Sequence, residues 1–457
     1  MNQPSPQLSG AMARARAVAG AKTRRAREIR YRRSVHAAYR HFLDSFPWND
    51  SDAAQRLRVN ALRDLCVGAI DGSPYQRQRF ADAGLDPATI SSVDDLHTLA
   101  PVTKIELRAA GNTATDPTRM GSNPLWWGTS GTSGEPFRFC MDHDYGIRTE
   151  ALRGFLYHRF GHRRGPVVES MAGSGVPSGR DRSVPGYARH LVVWGDPINT
   201  QLDAIATIEP TAIYGNRSVL LQLVNEFEDR GAVPAIGLVV SSSETLWPAD
   251  RIRLARSFGA RVHDLYGIAE ATAVCLEESP SGGYRVVEPR VIMEILDDQG
   301  RPVAPGDVGD IVVTNLDNAA LPFIRYATGD RARLGKVSQP SGHAGMRIAS
   351  IEGREADQVA DHGGRPVQFW SLATPAFWAQ PPIADQISRW QIIELAPGEF
   401  MVRLEPTVSG LGDSATDTVR AFLADRLGPV DITIEAGGVE LEANGKFRAV
   451  KSSVDRS

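Results

Sequence analysis

Hydrophobic and polar positions change period along this chain. From Ser34 to Leu65 the apolar residues Val35, Ala38, Phe42, Leu57, Leu62 and Leu65 recur at helical spacing. Ser73-Pro74 to Leu85, then Val93–Leu96 and Pro101–Lys104, read as short helices punctuated by Pro and Gly with Ser/Asp caps. Further on the pattern becomes short apolar runs, each leading into an amphipathic stretch. A helix is predicted over Ile147–Phe160 and a short strand over Leu191–Trp194. Thr211–Gly215 and Ile236–Ser241 read as buried strands, followed by helices over Ser218–Arg230 and Pro248–Phe258. Such alternation predicts parallel β/α construction, with functional loops at the carboxyl ends of the strands. Asp307–Thr314 alternates as a strand, Ile387–Glu394 and Glu399–Glu405 alternate as a pair, and Asp413–Leu427 is helical.

Composition bounds the function. At 457 residues the chain exceeds one ordinary core, and two or three domains are expected. With 42% hydrophobic residues, 23% charged residues and a net charge of −3, nucleic acid is not an expected partner. No apolar run is long enough to span a membrane, so a cytoplasmic protein is expected. Three scattered cysteines, Cys66, Cys140 and Cys275, form no CxxC pair and read as buried thiols in a reducing compartment. Residues 1–33 carry nine basic side chains against Glu28 alone, and read as a solvated, partly disordered basic arm that becomes helical near Glu28. A targeting segment is the alternative for that arm.

The candidate chemistry begins at Trp127-Gly-Thr-Ser-Gly-Thr-Ser-Gly134, where glycines and hydroxyls alternate. Glycine lets successive N–H groups converge on an anion, and Ser/Thr hydroxyls add donors without bulk. The loop lacks the Gly-Lys-Ser/Thr of a Walker motif; taken alone, a Ser/Gly linker is the rival reading. Downstream stand Ser241-Ser-Ser-Glu-Thr-Leu246, Asp264-Leu-Tyr-Gly-Ile-Ala-Glu270, Leu321-Pro-Phe-Ile-Arg-Tyr-Ala-Thr-Gly-Asp330, Ile351-Glu-Gly-Arg354 and Asn444-Gly-Lys-Phe-Arg448. Locally, Glu244 reads as a capping partner for a helix N-terminus, and Asp330 is suited to accept two hydrogen bonds from vicinal hydroxyls.

Together, in this order, these elements resemble the adenylate-forming (acyl-adenylate ligase) superfamily, and more narrowly its phenylacetate–CoA ligase and capsule-biosynthesis-like branch. The resemblance spans Ser73 to Lys451. It implies an α/β fold: a large multi-sheet α/β domain over 34–353 and a small mobile α+β domain over 354–457. It implies an ATP-dependent ligase that makes an acyl-AMP and passes the acyl group to an acceptor, most often coenzyme A. By resemblance, Thr129, Ser130, Gly131, Thr132, Ser133 and Gly134 hold phosphates, with Thr129 counted as catalytic. Ser243 and Glu244 line the adenine site, and Tyr266 and Gly267 face the adenine. Glu270 is the Mg²⁺ ligand and a catalytic residue, Asp330 holds the ribose, Arg354 lies near ribose and phosphates, and Lys446 completes adenylation. Ala356 stands where relatives carry a hinge carboxylate, leaving Asp357. Tyr75 and Lys104 read as structural. The acid-lining segments lie around Tyr157, Gly173–Gly175 and Tyr214–Arg217. A small carboxylic acid is the expected partner, and a homodimer is left open. An amine or hydroxyl acceptor, or a nucleotide-binding relative without turnover, are the rival functions.

Overall fold

The computed structural model describes residues 29–41, 51–120, 125–128, 137–171, 179–180, 187–193, 196–279, 283–288, 290–335, 346–354, 359–367, 372, 375–378, 383, 385–407, 410–440 and 448–454. Among the described residues, twelve strands form one hydrogen-bonded mixed sheet. Its parallel half comprises β3 (Pro166–Met171), β5 (Ala188–Val193), β6 (Ala212–Asn216), β7 (Leu238–Ser242) and β8 (Arg261–Tyr266). The antiparallel half continues through β9 (Cys275–Ser279), β10 (Gly283–Val286), β14 (Arg347–Arg354), β13 (Tyr326–Leu334), β12 (Val308–Asn315) and β11 (Val291–Leu296). The two-residue β4 (Gly179–Arg180) closes the opposite edge against β5. A separate hairpin, β1 (Leu125–Gly128) with β2 (Arg138–Met141), brackets the Ser/Thr/Gly segment.

The parallel strands are covered on both faces, which explains their apolar runs. One face meets α6 (Ile198–Ile208), α7 (Arg217–Asp229) and α8 (Pro248–Phe258) through Val168, Ile213, Val239, Leu220, Val224 and Leu254. The other meets α5 (His143–Arg159) and a helix over 29–41, through Leu152, Phe155, Val35, Leu238 and Val240. Helix α5 starts earlier than its apolar pattern suggests, because Asp142 caps it by accepting from the Tyr145 N–H at 2.5 Å. All three cysteines are free and buried, and burial pushes the Cys66 thiol up to about 12.

The amino-terminal layer, α2 (Ser51–Gly72) and α3 (Pro74–Asp82), packs on Ile292 and Ile324 of the antiparallel half and is joined to it by Arg58–Glu288, Gln76–Pro322 O and Arg79–Ile324 O, and the segment that follows it, residues 96–99, is held by one buried cation. Arg325 is 1% exposed and sits at φ 50. Its guanidinium grips Glu294 at 3.1 and 2.9 Å and donates to the Leu99 carbonyl at 2.6 Å. A planar fork with this many partners suits a buried ion pair, and losing one partner strands the other charge. Beside it Val102 exchanges backbone hydrogen bonds with Arg325 and Ala327, so Pro101–Thr103 edges β13 before α4 (Lys104–Ala110) begins.

The carboxyl-terminal sheet has the order β19 (Asp431–Ala436), β18 (Glu399–Pro406), β17 (Ile387–Ala396), β20 (Val450–Ser452). It packs on α9 (Asp413–Leu427) around Ile392, Val402, Leu404, Val419 and Leu423. Trp390 on β17 stacks on Trp378 at 4.2 Å and meets Trp247, the N-cap of α8, at 5.8 Å. Arg217 lies 5.7 Å from the Trp247 ring. This aromatic seam is where the C-terminal sheet touches the loop leaving β7.

Candidate active site

Of the expected nucleotide residues, Tyr266 and Gly267 after β8 and Asp330 on β13 come together. Tyr266 ends β8, and its hydroxyl donates to Asp330 Oδ2 at 2.7 Å. Asp330 is 6% exposed; its N–H donates to the Thr328 hydroxyl at 3.1 Å, and Gly329 takes φ 76 to make the turn. Next to Tyr266, a Cβ on Gly267 would lie 2.0 Å from the Thr272 carbonyl oxygen. Only glycine lets the chain fold back there. The return is held by Thr272 N–H to Ile268 O at 2.7 Å and Val274 N–H to Tyr266 O at 3.0 Å. Thr272 takes φ 63, a conformation costly for a β-branched residue, while its hydroxyl meets Tyr145 at 2.9 Å.

Glu270 sits inside this turn, 5% exposed, with Oε1 accepting from the Tyr326 hydroxyl at 2.6 Å. Burial holds its carboxyl above the usual range, and Tyr326 pulls the other way. Lys104, read from sequence as structural, lies close enough to lower that carboxyl electrostatically. The Val102 bridge delivers it there. Local periodicity carries no trace of a pairing that joins residues 102 and 326. As a donor set, one carboxylate shaped by hydrogen bonds fits Mg²⁺, which takes one or two carboxylates and completes its shell with phosphate oxygens and water. No cluster of three acidic, His or Cys ligands occurs among the described residues.

The other candidates divide. Ser243 is exposed at φ 69 just past β7. The Glu244 carboxylate accepts from the N–H and hydroxyl of Ser218, at 2.9 and 2.8 Å, and lies 3.7 Å from Arg217 Nε. It therefore caps α7, the preceding helix, rather than the helix that follows it. Arg354 ends β14 in register with Asp330. Thr129, Ser130, Gly131, Thr132, Ser133, Gly134, Lys446, Ala356, Asp357 and Gly173–Gly175 lie outside the described residues. What is described of the first group's frame is the hairpin β1–β2. Its Phe139 packs edge-on to Phe323 at 5.3 Å, and Phe323 in turn to Tyr326 at 5.3 Å. That stack ties the hairpin to the tyrosine holding Glu270.

Behind the Tyr266–Thr272 turn, between α5 and the sheet, lies a cavity of ≈ 30 Å³. Leu152, Leu156, Phe160, Val240 and Leu265 make its walls apolar, and Thr272 belongs to its lining. Its far end is polar. Glu169 on β3, 0% exposed, accepts from Arg153 at 2.8 Å, from Arg189 at 3.4 Å and from the Tyr157 hydroxyl at 3.1 Å. Sequence reading placed Tyr157 and Tyr214 near the acid but missed Arg153 and Glu169. The only available signal was one carboxylate inside the apolar run Val167-Val168-Glu169.

Comparison with known proteins agrees with this geometry. Residues 129–319 match the family model "AMP-binding enzyme". A phenylacetate-coenzyme A ligase from Pseudomonas putida is 26% identical over 343 residues, covering 72% of this chain and 76% of the relative. One from Escherichia coli K12 is 25% identical over 349 residues, covering 70% and 76%. Among solved structures, a 2-hydroxyisobutyryl-CoA ligase superposes with a TM-score of 0.74 at 20% identity, over 90% of this chain and 92% of that one. An anthranilate CoA ligase gives 0.54 at 15% identity, over 72% and 65%. No helix among the described residues is long and apolar enough to cross a membrane. The chain thus has the adenylate-forming ligase fold and belongs to the AMP-binding superfamily, as a distant homologue of the phenylacetate–CoA ligases.

Proposed function

We propose that this protein is an ATP-dependent ligase that activates a small carboxylic acid as acyl-AMP, releases pyrophosphate and transfers the acyl group to coenzyme A. The observation that carries the reading is the Tyr266–Asp330 hydrogen bond at 2.7 Å beside buried Glu270. It sets a flat aromatic face at the end of β8 beside a two-oxygen acceptor on β13, as adenine and ribose hydroxyls require. Support for coenzyme A as acceptor comes from the relatives, which are named as coenzyme A ligases.

Acyl adenylation brings two anions together at the α-phosphorus, so the protein's work is positioning and charge stabilisation. Asp330 holds the ribose and Tyr266 fixes that carboxylate. Glu270 holds Mg²⁺, which supplies charge neutralisation on the phosphates. Thr129–Gly134 and Lys446 are proposed to cradle phosphate and complete the site. The acid enters the cavity behind Thr272.

The test is carboxylate-dependent pyrophosphate release across an acid panel, with mass spectrometry of the products. Acyl-AMP without coenzyme A and a thioester with it are expected. Release of ADP and phosphate would sink the assignment, and an acyl-AMP that goes only to amines or hydroxyls would sink the choice of acceptor.

A further inference from the structure

The polar end of the cavity says something about the acid. Across the sheet, Val240, Tyr214 and Glu169 are register neighbours, and Leu265 stands two residues beyond His263, the partner of Val240 on β8; all four line the cavity together with Thr272. An acid whose carboxyl group lies at the Thr272 turn points its other end at Glu169.

The charges there cancel. Glu169 is held by Arg153 and Arg189, and Arg189 also pairs with Glu150 at 3.0 Å. Two guanidiniums face two carboxylates. A second carboxylate or an ammonium on the substrate would unbalance a buried cluster, at the desolvation cost of an unpaired ion. A neutral donor would not. Glu169 Oε1 accepts only the Tyr157 hydroxyl in the described network, and a carboxylate oxygen has a second lone pair to offer. Burial keeps Tyr157 and Tyr214 protonated, so both are neutral hydrogen-bonding partners. The ≈ 30 Å³ of the cavity is on the scale of one or two hydroxyl-sized groups.

Resting on the ligase reading of this site, we infer that the acid is compact and carries a neutral hydrogen-bond donor, a hydroxyl or an aromatic amine, at the end away from its carboxyl group. Glu169 and Tyr157 are the specificity-determining residues that read it. An analogue lacking the donor leaves the pocket's polar groups facing an apolar atom, which rejects it far more strongly than a missing methylene would.

The experiment measures kcat/KM for pyrophosphate release on matched aryl and short alkyl acids. Each is tested plain, with a terminal hydroxyl or aromatic amine, and with a second carboxylate or an ammonium group. The wild-type protein is expected to prefer the neutral donor over the plain acid by more than about 200-fold, beyond the reach of one methylene. Tyr157→Phe and Glu169→Gln should shrink that ratio. A ratio within one preparation is independent of the fraction folded, so a destabilised E169Q remains informative, and Y157F removes one oxygen only. Equal use of plain and hydroxylated acids, preference for the charged ones, or ratios unmoved in both variants would overturn the inference while leaving the ligase reading intact. Absence of pyrophosphate release with every acid would overturn the ligase reading, and this inference with it.

Discussion

Tyr326 and Glu270 are joined by a 2.6 Å hydrogen bond that ties the start of β13 to the turn after β8. The carboxyl held there is raised by burial, so a metal ion binding it would compete with a proton. Apparent Mg²⁺ affinity in the presence of ATP should therefore rise with pH above the ordinary carboxylate range. Glu270→Gln should weaken the affinity and remove that pH dependence. Titrating Mg²⁺ at several pH values with each protein checks both; identical curves would mean that Glu270 is no ligand.

Asp330→Ala removes two acceptor oxygens and leaves the Tyr266 hydroxyl without its partner. ATP affinity should fall by about 1–3 kcal/mol, the worth of hydrogen bonds to a charged group. Calorimetric titration of the folded variant measures this, with circular dichroism to establish folding. Unchanged affinity would reduce Asp330 to a turn residue.

Asp264, one strand position before Leu265, is pushed up to about 7 by burial, against the Tyr284 hydroxyl that donates to it at 2.5 Å. Unfolded, its value is about 3.9. Between those values the folded chain binds more protons than the unfolded one, so stability falls as pH rises from about 4 to about 7. The loss attributable to this group is at most about 4 kcal/mol, from roughly three units at 1.36 kcal/mol each. Denaturant midpoints for wild type and Asp264→Asn across that window are the measurement. The variant's curve should be flatter.

Arg325→Ala leaves the buried Glu294 with His97 in place of its guanidinium and takes a donor from three backbone carbonyls of residues 96–99. A cost of about 3–5 kcal/mol is expected. Equilibrium unfolding gives the number, and a loss below 1 kcal/mol would show that the amino-terminal layer holds without the arginine.

Lys446 is proposed to act in adenylation from a small C-terminal unit that is divided from the rest near Gly353. Its charge then matters mainly as negative charge builds at the α-phosphate, and such interactions lower kcat rather than raise KM. Lys446→Ala should slow acyl-AMP formation by an amount comparable to about 3 kcal/mol, with ATP affinity little changed. Transfer from supplied acyl-AMP should survive. Measuring both half-reactions in one variant separates this from a general loss of folding, which would depress them equally.

Much of the fold was legible where local pattern and local chemistry coincide. Pro248–Phe258 and Asp413–Leu427 form helices with the bounds their sequence suggests, and the strand expected over Ile236–Ser241 is β7, ending at Ser242. What stayed hidden depends on long-range pairing. Strand β3 was not recognised, because Glu169 interrupts an apolar run and its partners lie on α5 and β5. Strands β9 to β11 were missed in the same way. β11 is buried at all six positions and shows no alternation. Lys104 reaches Glu270 only because Val102 pairs with β13, more than two hundred residues away.

The seam of Trp247, Trp390 and Trp378 has one consequence for observation. Trp247, from the N-cap of α8, packs against the same core as Trp378 and Trp390, and the indoles lie 4.2 to 5.8 Å apart, close enough for their excited states to couple. Three residues separate Ser243, just past β7, from Trp247 in that seam. The chain therefore carries its own optical gauge: a swing of the C-terminal sheet away from the β7 loop parts Trp247 from Trp390 while Trp378 and Trp390 stay together. Ultraviolet circular dichroism can follow that separation without a dye or an engineered label.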